Sequence, residues 1–313
     1  MKVRSVFFIA LAGVLWGTSG IFVHYLSPLG FTPFMMSAVR GAISLLSLCI
    51  FALIKDKSLF KIDRRGLLLS VLIGAALWAT GTTYYTAMGY TGVAVAVVLM
   101  YTAPVYVTVF SAIFMRERMG VCGTVATVLM LIGSVLVSGI LTEGQFNPFG
   151  VAIGVLCGIV YAIYNIGTKI ALTRGTRPVT VTLYAFLFMT LISIIPASPG
   201  RLFALAEATP YSIPLLIGLA IFTFVLPYVL YTLGMRGLAA GPASALGTVE
   251  PVAATAFSMI CFGEMPSAIA AVGMVLIIGA VLALAISQWI AQRRELPRVR
   301  ECEAKENGEG QTV

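Results

Sequence analysis

The sequence predicts an all-α polytopic membrane protein with ten transmembrane helices in two inverted five-helix repeats and both termini cytoplasmic. Three observations carry this prediction. The 313 residues are 59% apolar and only 10% charged, with a mean hydropathy of +1.01, far outside the range of a soluble globular domain. The apolar residues gather into ten runs of about 20 residues, the length a helix needs to cross the hydrocarbon core. The second five runs repeat motifs of the first five.

In chain order, the first run, 5–26, follows MKVR and reads FFIALAGVLWG onward. It resembles a secretory signal, but it continues without a cleavage site and its GVLWG returns inside the chain. Segment 33–54 carries Arg40, 66–88 follows the basic loop at 55–65, 92–114 contains Pro104, and 119–140 closes the first repeat, 5–140. The second repeat, 149–289, runs through 149–171, 179–197, 211–235 with Pro227, 238–262 with Glu250-Pro251, and 267–289. The remainder, 291–313, holds five basic and five acidic residues with no apolar face, and Pro297 interrupts it, so a disordered cytoplasmic tail is expected.

Orientation follows from charge, because Lys and Arg of short loops stay on the cytoplasmic side. With the N-terminus inside, all of the 20 basic residues except Arg40 and Arg201 fall in the tails and even-numbered loops, Lys169 and Arg177 among them. This asymmetry explains the net charge of +8 without a nucleic-acid partner. The membrane expected is the cell (plasma or inner) membrane, and the lipid bilayer itself is the partner that composition demands. Monomer and homodimer both stay open. Four cysteines, Cys49, Cys122, Cys157 and Cys261, lie in apolar runs and Cys302 in the tail, with no spacing for a disulfide or a metal. No GxSxG, HExxH or GxxxxGK[ST] motif is present, and a single histidine leaves little acid/base chemistry, so neither an enzyme, nor a cofactor, nor an ATP-driven motor is indicated.

The repeat itself is specific. GVLWG at 13–17 recurs as GVLCG at 154–158, and 100–119 aligns without a gap on 247–266, matching Pro104 to Pro251 and Glu117 to Glu264. Upstream, Tyr84 and Met88 match Tyr231 and Met235. A five-helix unit is odd, so its second copy must insert upside down. Such inverted repeats typify secondary transporters, with the ligand near the midplane between halves.

With the GxLxG opening of each half, the prolines of segments 4 and 9, Glu250-Pro251, and the acidic residues Glu117 and Glu264, the chain resembles the drug/metabolite transporter superfamily, EamA type, over about residues 5 to 289. That resemblance implies a ten-helix basket around a central cavity that carries small polar or amphipathic metabolites, often outward and often amino acids. It does not transfer a substrate. The small multidrug exporters resemble one half, but they depend on a Glu in their first helix, and none stands in 5–26 here.

Helical spacing nominates the residues that would meet a small-molecule substrate. Segment 149–171 carries Cys157, Tyr161, Tyr164, Asn165 and Thr168 on one face; Trp16, Gly20, His24 and Ser27 are the counterparts in 5–26. Similar stripes are Trp78, Thr82 and Tyr85; Tyr101, Pro104 and Thr108; and Thr223, Pro227 and Tyr231. Such aromatics also pack or anchor at the interface, whereas lining a cavity they would suit apolar side chains and, by cation–π attraction, an ammonium group. The GxxxG glycines read as close helix contacts, with gating as the alternative. The prolines read as kinks or hinges.

Glu250 is the isolated carboxylate in the run 238–262, costly in hydrocarbon and therefore a functional candidate. On an unbroken helix it shares a face with Ala243, Gly247 and Ala254, away from the polar stripe Ser244, Thr248, Pro251 and Thr255. Bracing of a neighbouring helix therefore competes with proton coupling or ammonium binding. Arg40 would snorkel outward, pair with Glu250, or grip a substrate carboxylate. His24 would sense pH or simply be hydrogen-bonded. Glu117 and Glu264 would complement helix dipoles. The substrate-binding candidates are thus Trp16, His24, Arg40, Trp78, Tyr85, Tyr101, Tyr161, Asn165, Tyr231 and Glu250, with no catalytic or metal-binding residue. The function they suggest is alternating-access export of amino acids or related amphiphiles. An importer, a carrier of sugars, nucleosides or cationic drugs, and a channel are the alternatives.

Overall fold

The structure, a computed structural model, describes residues 2–115, 120–138, 147–263 and 265–309, and every regular element among them is helical. Helices α1 (Lys2–Gly17) and α2 (Ser19–Leu26) form one span broken at Thr18, whose hydroxyl donates to the Leu15 carbonyl at 2.7 Å. Helix α3 (Pro33–Lys55) begins with Pro33 behind a Thr32 cap that accepts from the Met35 amide. Asp63 and Asn147 likewise cap α4 (Arg64–Met100) and α7 (Pro148–Thr173). Between these lie α5 (Ala103–Phe114) and α6 (Val121–Ser138), and after them α8 (Pro178–Ser193) and a short α9 (Pro199–Ala208). Helices α10 (Ser212–Ala220) and α11 (Leu226–Met235) are joined by a π-helical turn at Ile221–Val225. Then come α12 (Ala240–Gly247), α13 (Glu250–Phe262) and α14 (Ala268–Glu309).

Nine stretches among the described residues are long and apolar enough to cross a membrane, and α8 is a shorter apolar helix of 16 residues within the predicted segment 179–197. The tail expectation is corrected over 291–309, where the backbone continues α14 beyond Pro297. Its Arg, Glu, Lys and Ala residues are strong helix formers, and that preference outweighs the single proline. Glu117 and Glu264 lie outside the described residues.

Helix α3 shows how the spans are patterned. Ser37, Gly41, Ser44, Leu48 and Ala52 face inward, whereas Leu46, Ile50, Phe51, Leu53 and Ile54 are exposed. Small and hydroxylated residues inside and large aliphatics outside suit a helix whose surroundings are lipid. Hydroxyls in these helices return to their own backbone, as Thr80 does to Ala76 at 2.7 Å, so few polar atoms need a distant partner.

The inverted repeat is visible in the packing. Helix α6 runs antiparallel to α14, with Cys122 against Ala283 at one end and Gly133 against Gly273 and Ile277 further along. A β-carbon on either Gly133 or Gly273 would stand 2.7 or 2.6 Å from the other's carbonyl oxygen, so only glycine permits this crossing. Each repeat's GxxxG also has the same job. Gly13 and Gly17 of α1 press on the α12–α13 junction, against Gly247, Glu250 and Ala253, while Gly154 and Gly158 of α7 press on the α4–α5 junction, against Leu99 and Thr102. The first helix of each half therefore seats on the broken helix of the other.

Those breaks fall at aligned positions. Helix α4 ends on Tyr101 and α5 starts at Ala103 with Pro104 behind it; α12 ends on Thr248 and α13 starts at Glu250 with Pro251 behind it. Proline supplies no amide to the preceding turn, and the helix interrupts there in both copies. Along α4, Gly150 meets Tyr90 and Thr91, Cys157 meets Thr80, and Gly167 meets Ile73, an antiparallel course; Leu99 then meets Gly154 and Thr102 meets Gly158. The stretch α4–α5 thus contributes two apolar spans, Arg64–Thr91 and Val95–Phe114, that follow α7 in opposite directions, in line with the predicted spans 66–88 and 92–114.

The large buried cluster that includes Ile9, Leu59, Ile166, Val181 and Met235 fills the end of the molecule bearing Lys55–Arg65, and a smaller one around Phe31 and Leu219 lies toward the other. At the basic end the halves are also joined by polar contacts. Arg177 donates to Asp56 at 2.6 Å and to Ser58 at 2.7 Å, Thr180 to the Leu59 carbonyl at 3.0 Å, and Tyr184 to the Phe60 carbonyl at 2.8 Å. The Ser58 hydroxyl, then Arg177, hold the Asp56 carboxyl at about 2, below the ordinary carboxylate range. A depressed value means that the contact is made in full above the unfolded value of about 3.9 and is lost as pH falls toward 2. At neutral pH this latch is charged on both sides. Because it is solvent-exposed, Asp56→Asn should change the melting temperature little. It should nevertheless raise, by a few-fold, thiol labelling of a cysteine placed at buried Leu59.

Lys169 was assigned to a cytoplasmic loop by charge, and the structure corrects this. It is buried in α7, and its ammonium donates to the carbonyls of Met235, at 2.9 Å, and Leu238 beyond the end of α11. A cation there satisfies carbonyls that the helix leaves open.

Candidate functional site

A cavity of about 440 Å³ lies between the halves, within the range of small-molecule sites, roughly 300–1,000 Å³. It extends from Glu250 and Trp16 to Ser27 and Pro33 at the α2–α3 connection, where Ser27 is exposed. Its floor is aromatic. Trp16 meets Tyr228 edge-on at 5.2 Å and Tyr231 at 5.3 Å, and Tyr161 stands beside them. Beneath this floor the buried cluster separates the cavity from the basic end.

Two charges border the cavity. The Arg40 guanidinium lies over the Phe224 ring, 4.5 Å from its centre, and donates to the Tyr85 hydroxyl at 3.4 Å. Its Nε is buried without a partner. Glu250 stands next to the Tyr101 hydroxyl. No ion pair joins Arg40 to Glu250 among the described residues, so the pairing alternative fails, and the guanidinium is held by an aromatic face beside open space.

Glu250 reaches the cavity because its helix is not continuous. On an unbroken helix it would face a packed neighbour, but the interruption at Thr248–Val249 makes it the first residue of α13 and turns it inward. It also borders a second, smaller cavity of about 20 Å³, shared with Tyr101, Ser244 and Thr248. Tyr101 therefore faces this smaller space rather than the main one.

Five nominated residues, Trp16, Arg40, Tyr85, Tyr161 and Glu250, line the main cavity. The others do not. Of the stripe expected in 5–26, Trp16, Gly20 and Ser27 line the cavity with Val23, whereas His24 packs against Phe262, ring centres 4.2 Å apart. Trp78 packs on the buried cluster; the cavity face of α4 is Leu77, Gly81, Tyr84, Tyr85 and Met88, one position away from the predicted stripe. Tyr231 donates to Asn165, and Asn165 to the Tyr161 carbonyl at 2.7 Å, so both form a seam under the floor. The π turn explains the missed partners Phe224 and Tyr228. Thr223 of the predicted series lines the cavity, and the extra residue in the turn after it moves the inward face off Pro227 and Tyr231. Tyr84 carried a sequence signal, its match to Tyr231, which periodicity alone does not use.

Comparison with known proteins supports this architecture. The model of the family described as EamA-like transporter family matches residues 3–139 and again 148–286. An uncharacterized transporter of Archaeoglobus fulgidus is 29% identical over 88% of this chain and 93% of its own length. The uncharacterized transporter YwfM of Bacillus subtilis is 24% identical over 88% and 92%. A solved crystal structure superposes with a TM-score of 0.75, covering 94% of this chain and all of the other at 18% identity, which speaks to the fold alone.

Proposed function

The chain belongs to the EamA-like transporter family, and we propose that this multi-pass membrane transporter exports small zwitterionic metabolites, amino acids foremost, across the cytoplasmic membrane by alternating access. The observation that carries the substrate class is the pair of opposite charges, Glu250 and Arg40, bordering one aromatic-walled cavity without contacting each other. A substrate ammonium meets the carboxylate and the ring faces, its carboxylate meets the guanidinium fork, and its side chain lies among Met36, Met88 and Tyr84. Placing the basic end in the cytoplasm puts the mouth near Ser27 outside and the Asp56–Arg177 latch inside. The geometry is then that of a carrier open outward. A channel fits less well, because the aromatic floor and the cluster below it interrupt the path.

Counterflow in proteoliposomes, with labelled amino acids, amines, sugars and nucleosides, tests this reading. Saturable, accelerated exchange of zwitterions supports it. Exchange confined to sugars or nucleosides, or passive ion flux without exchange, overturns it.

A further inference from the structure

The smaller cavity behind Glu250 has a composition that the fold does not require. It lies at the α12–α13 junction, and the oxygen-bearing side chains that line it are those of Glu250, Ser244, Thr248, Tyr101 and Tyr161. The aligned junction of the first repeat makes the same break with Ala103 where the second has Glu250, Val97 where it has Ser244, and Tyr101 where it has Thr248. Since one copy folds with Val97 and Ala103 at these places, the polar residues of the other are not there to terminate a helix.

The protons of this group are directed away from the space it encloses. The Thr248 hydroxyl donates to the Ala245 carbonyl at 2.7 Å, and the Tyr101 hydroxyl stands next to the Glu250 carboxylate, an acceptor for its proton. Both oxygens therefore offer lone pairs. The Ser244 hydroxyl lines the cavity, is only 4% exposed, and has no hydrogen-bond partner, which costs free energy unless something is bound there. One carboxylate among hydroxyl side chains is a hard, oxygen-only set with a single negative charge. The space of about 20 Å³ accommodates one occupant the size of a water molecule. No cluster of three His, Cys, Asp or Glu side chains exists among the described residues, which argues against a divalent ion.

We propose that this cavity binds one monovalent cation of the size of Na⁺, held by Glu250, Ser244, Thr248 and Tyr101. Broken transmembrane helices offer such ions side-chain and backbone oxygens at their interruption. Glu250 borders both cavities, so an ion behind it and a substrate ammonium in front of it draw on the same carboxylate. Binding of one weakens the other, by the same factor in each direction, and ion entry drives substrate release. This names the coupling ion of the carrier proposed above and rests on that reading for its role, though not for the binding itself.

The experiment is ²²Na⁺ binding and thermal unfolding of the purified full-length protein in detergent, titrated with NaCl against choline chloride at constant ionic strength. Saturable binding and a melting temperature that rises with Na⁺ alone are expected. Ser244→Ala removes a hydroxyl that makes no hydrogen bond in the protein, so the variant should fold as before and require about tenfold more Na⁺ for half-saturation. Glu250→Gln, similar in shape, should abolish the response. Na⁺ indistinguishable from choline, a response to pH alone that Glu250→Gln removes, or an unchanged midpoint in Ser244→Ala each overturns the proposal in favour of water or a proton. Na⁺ binding without any zwitterion counterflow would leave the ion site standing and sink the substrate reading; counterflow without Na⁺ binding would do the reverse.

Discussion

Glu250→Gln is expected to lower the counterflow of a zwitterionic substrate by about two orders of magnitude, the cost of deleting one partner of a desolvated charge contact. The variant keeps the shape of the side chain and its acceptor for Tyr101, so the protein should still fold and insert. Arg40→Gln should be comparably damaging for zwitterions and much less so for amines that lack a carboxylate. Arg40→Lys should recover only part of the activity, because an ammonium loses the planar fork that matches a carboxylate and stacks less well on Phe224. KM for amines and for zwitterions, measured side by side in the two variants, separates the roles. Equal losses for both substrate types in Arg40→Gln would leave Arg40 a structural residue and remove the zwitterion argument.

Gly17→Val should have the largest effect on stability. A β-carbon at Gly17 would lie 2.7 Å from both the Ala253 side chain and the Ala254 backbone nitrogen, and backbone at a helix crossing cannot swing aside. Overpacking of this kind costs about 3 kcal/mol. Here the strain falls directly on α13, so Glu250 would move with it and transport would be lost together with thermal stability. Gly279→Ala is the contrast. Nothing stands within 4 Å of its β-carbon position, and alanine is the better helix former, so the melting temperature should hold or rise slightly. Melting curves of the two variants in one detergent decide the matter. A Gly17→Val protein that melts like the parent would mean that the α1–α13 contact is looser than the packing indicates.

Much of this protein was determined by sequence alone, through quantities that add along a chain. Hydropathy summed over a span requires helices in lipid, since no other open structure satisfies its backbone there. The odd-numbered repeat requires inversion, and α6 against α14 bears this out. The prolines at 104 and 251 marked both interruptions, and Trp16, Tyr85 and Tyr161, nominated by helical spacing, line the cavity.

Only the tertiary structure decided where a regular helix stops being regular. Side-chain direction was projected along unbroken 3.6-residue helices, and each interruption rotates everything beyond it. The π turn replaced Tyr231 by Phe224 and Tyr228, and the gap after Thr248 brought Glu250 in from a packed face to the edge of two cavities; His24, one position from the inward Val23, went to Phe262. Lys169 shows the same limit for charge, because a basic residue near a span's end reads as a loop residue until a neighbouring helix end is found to need it. Composition and repeat are properties of the chain; the facing of a side chain depends on which other helices, pressed close through glycine, hold each break open.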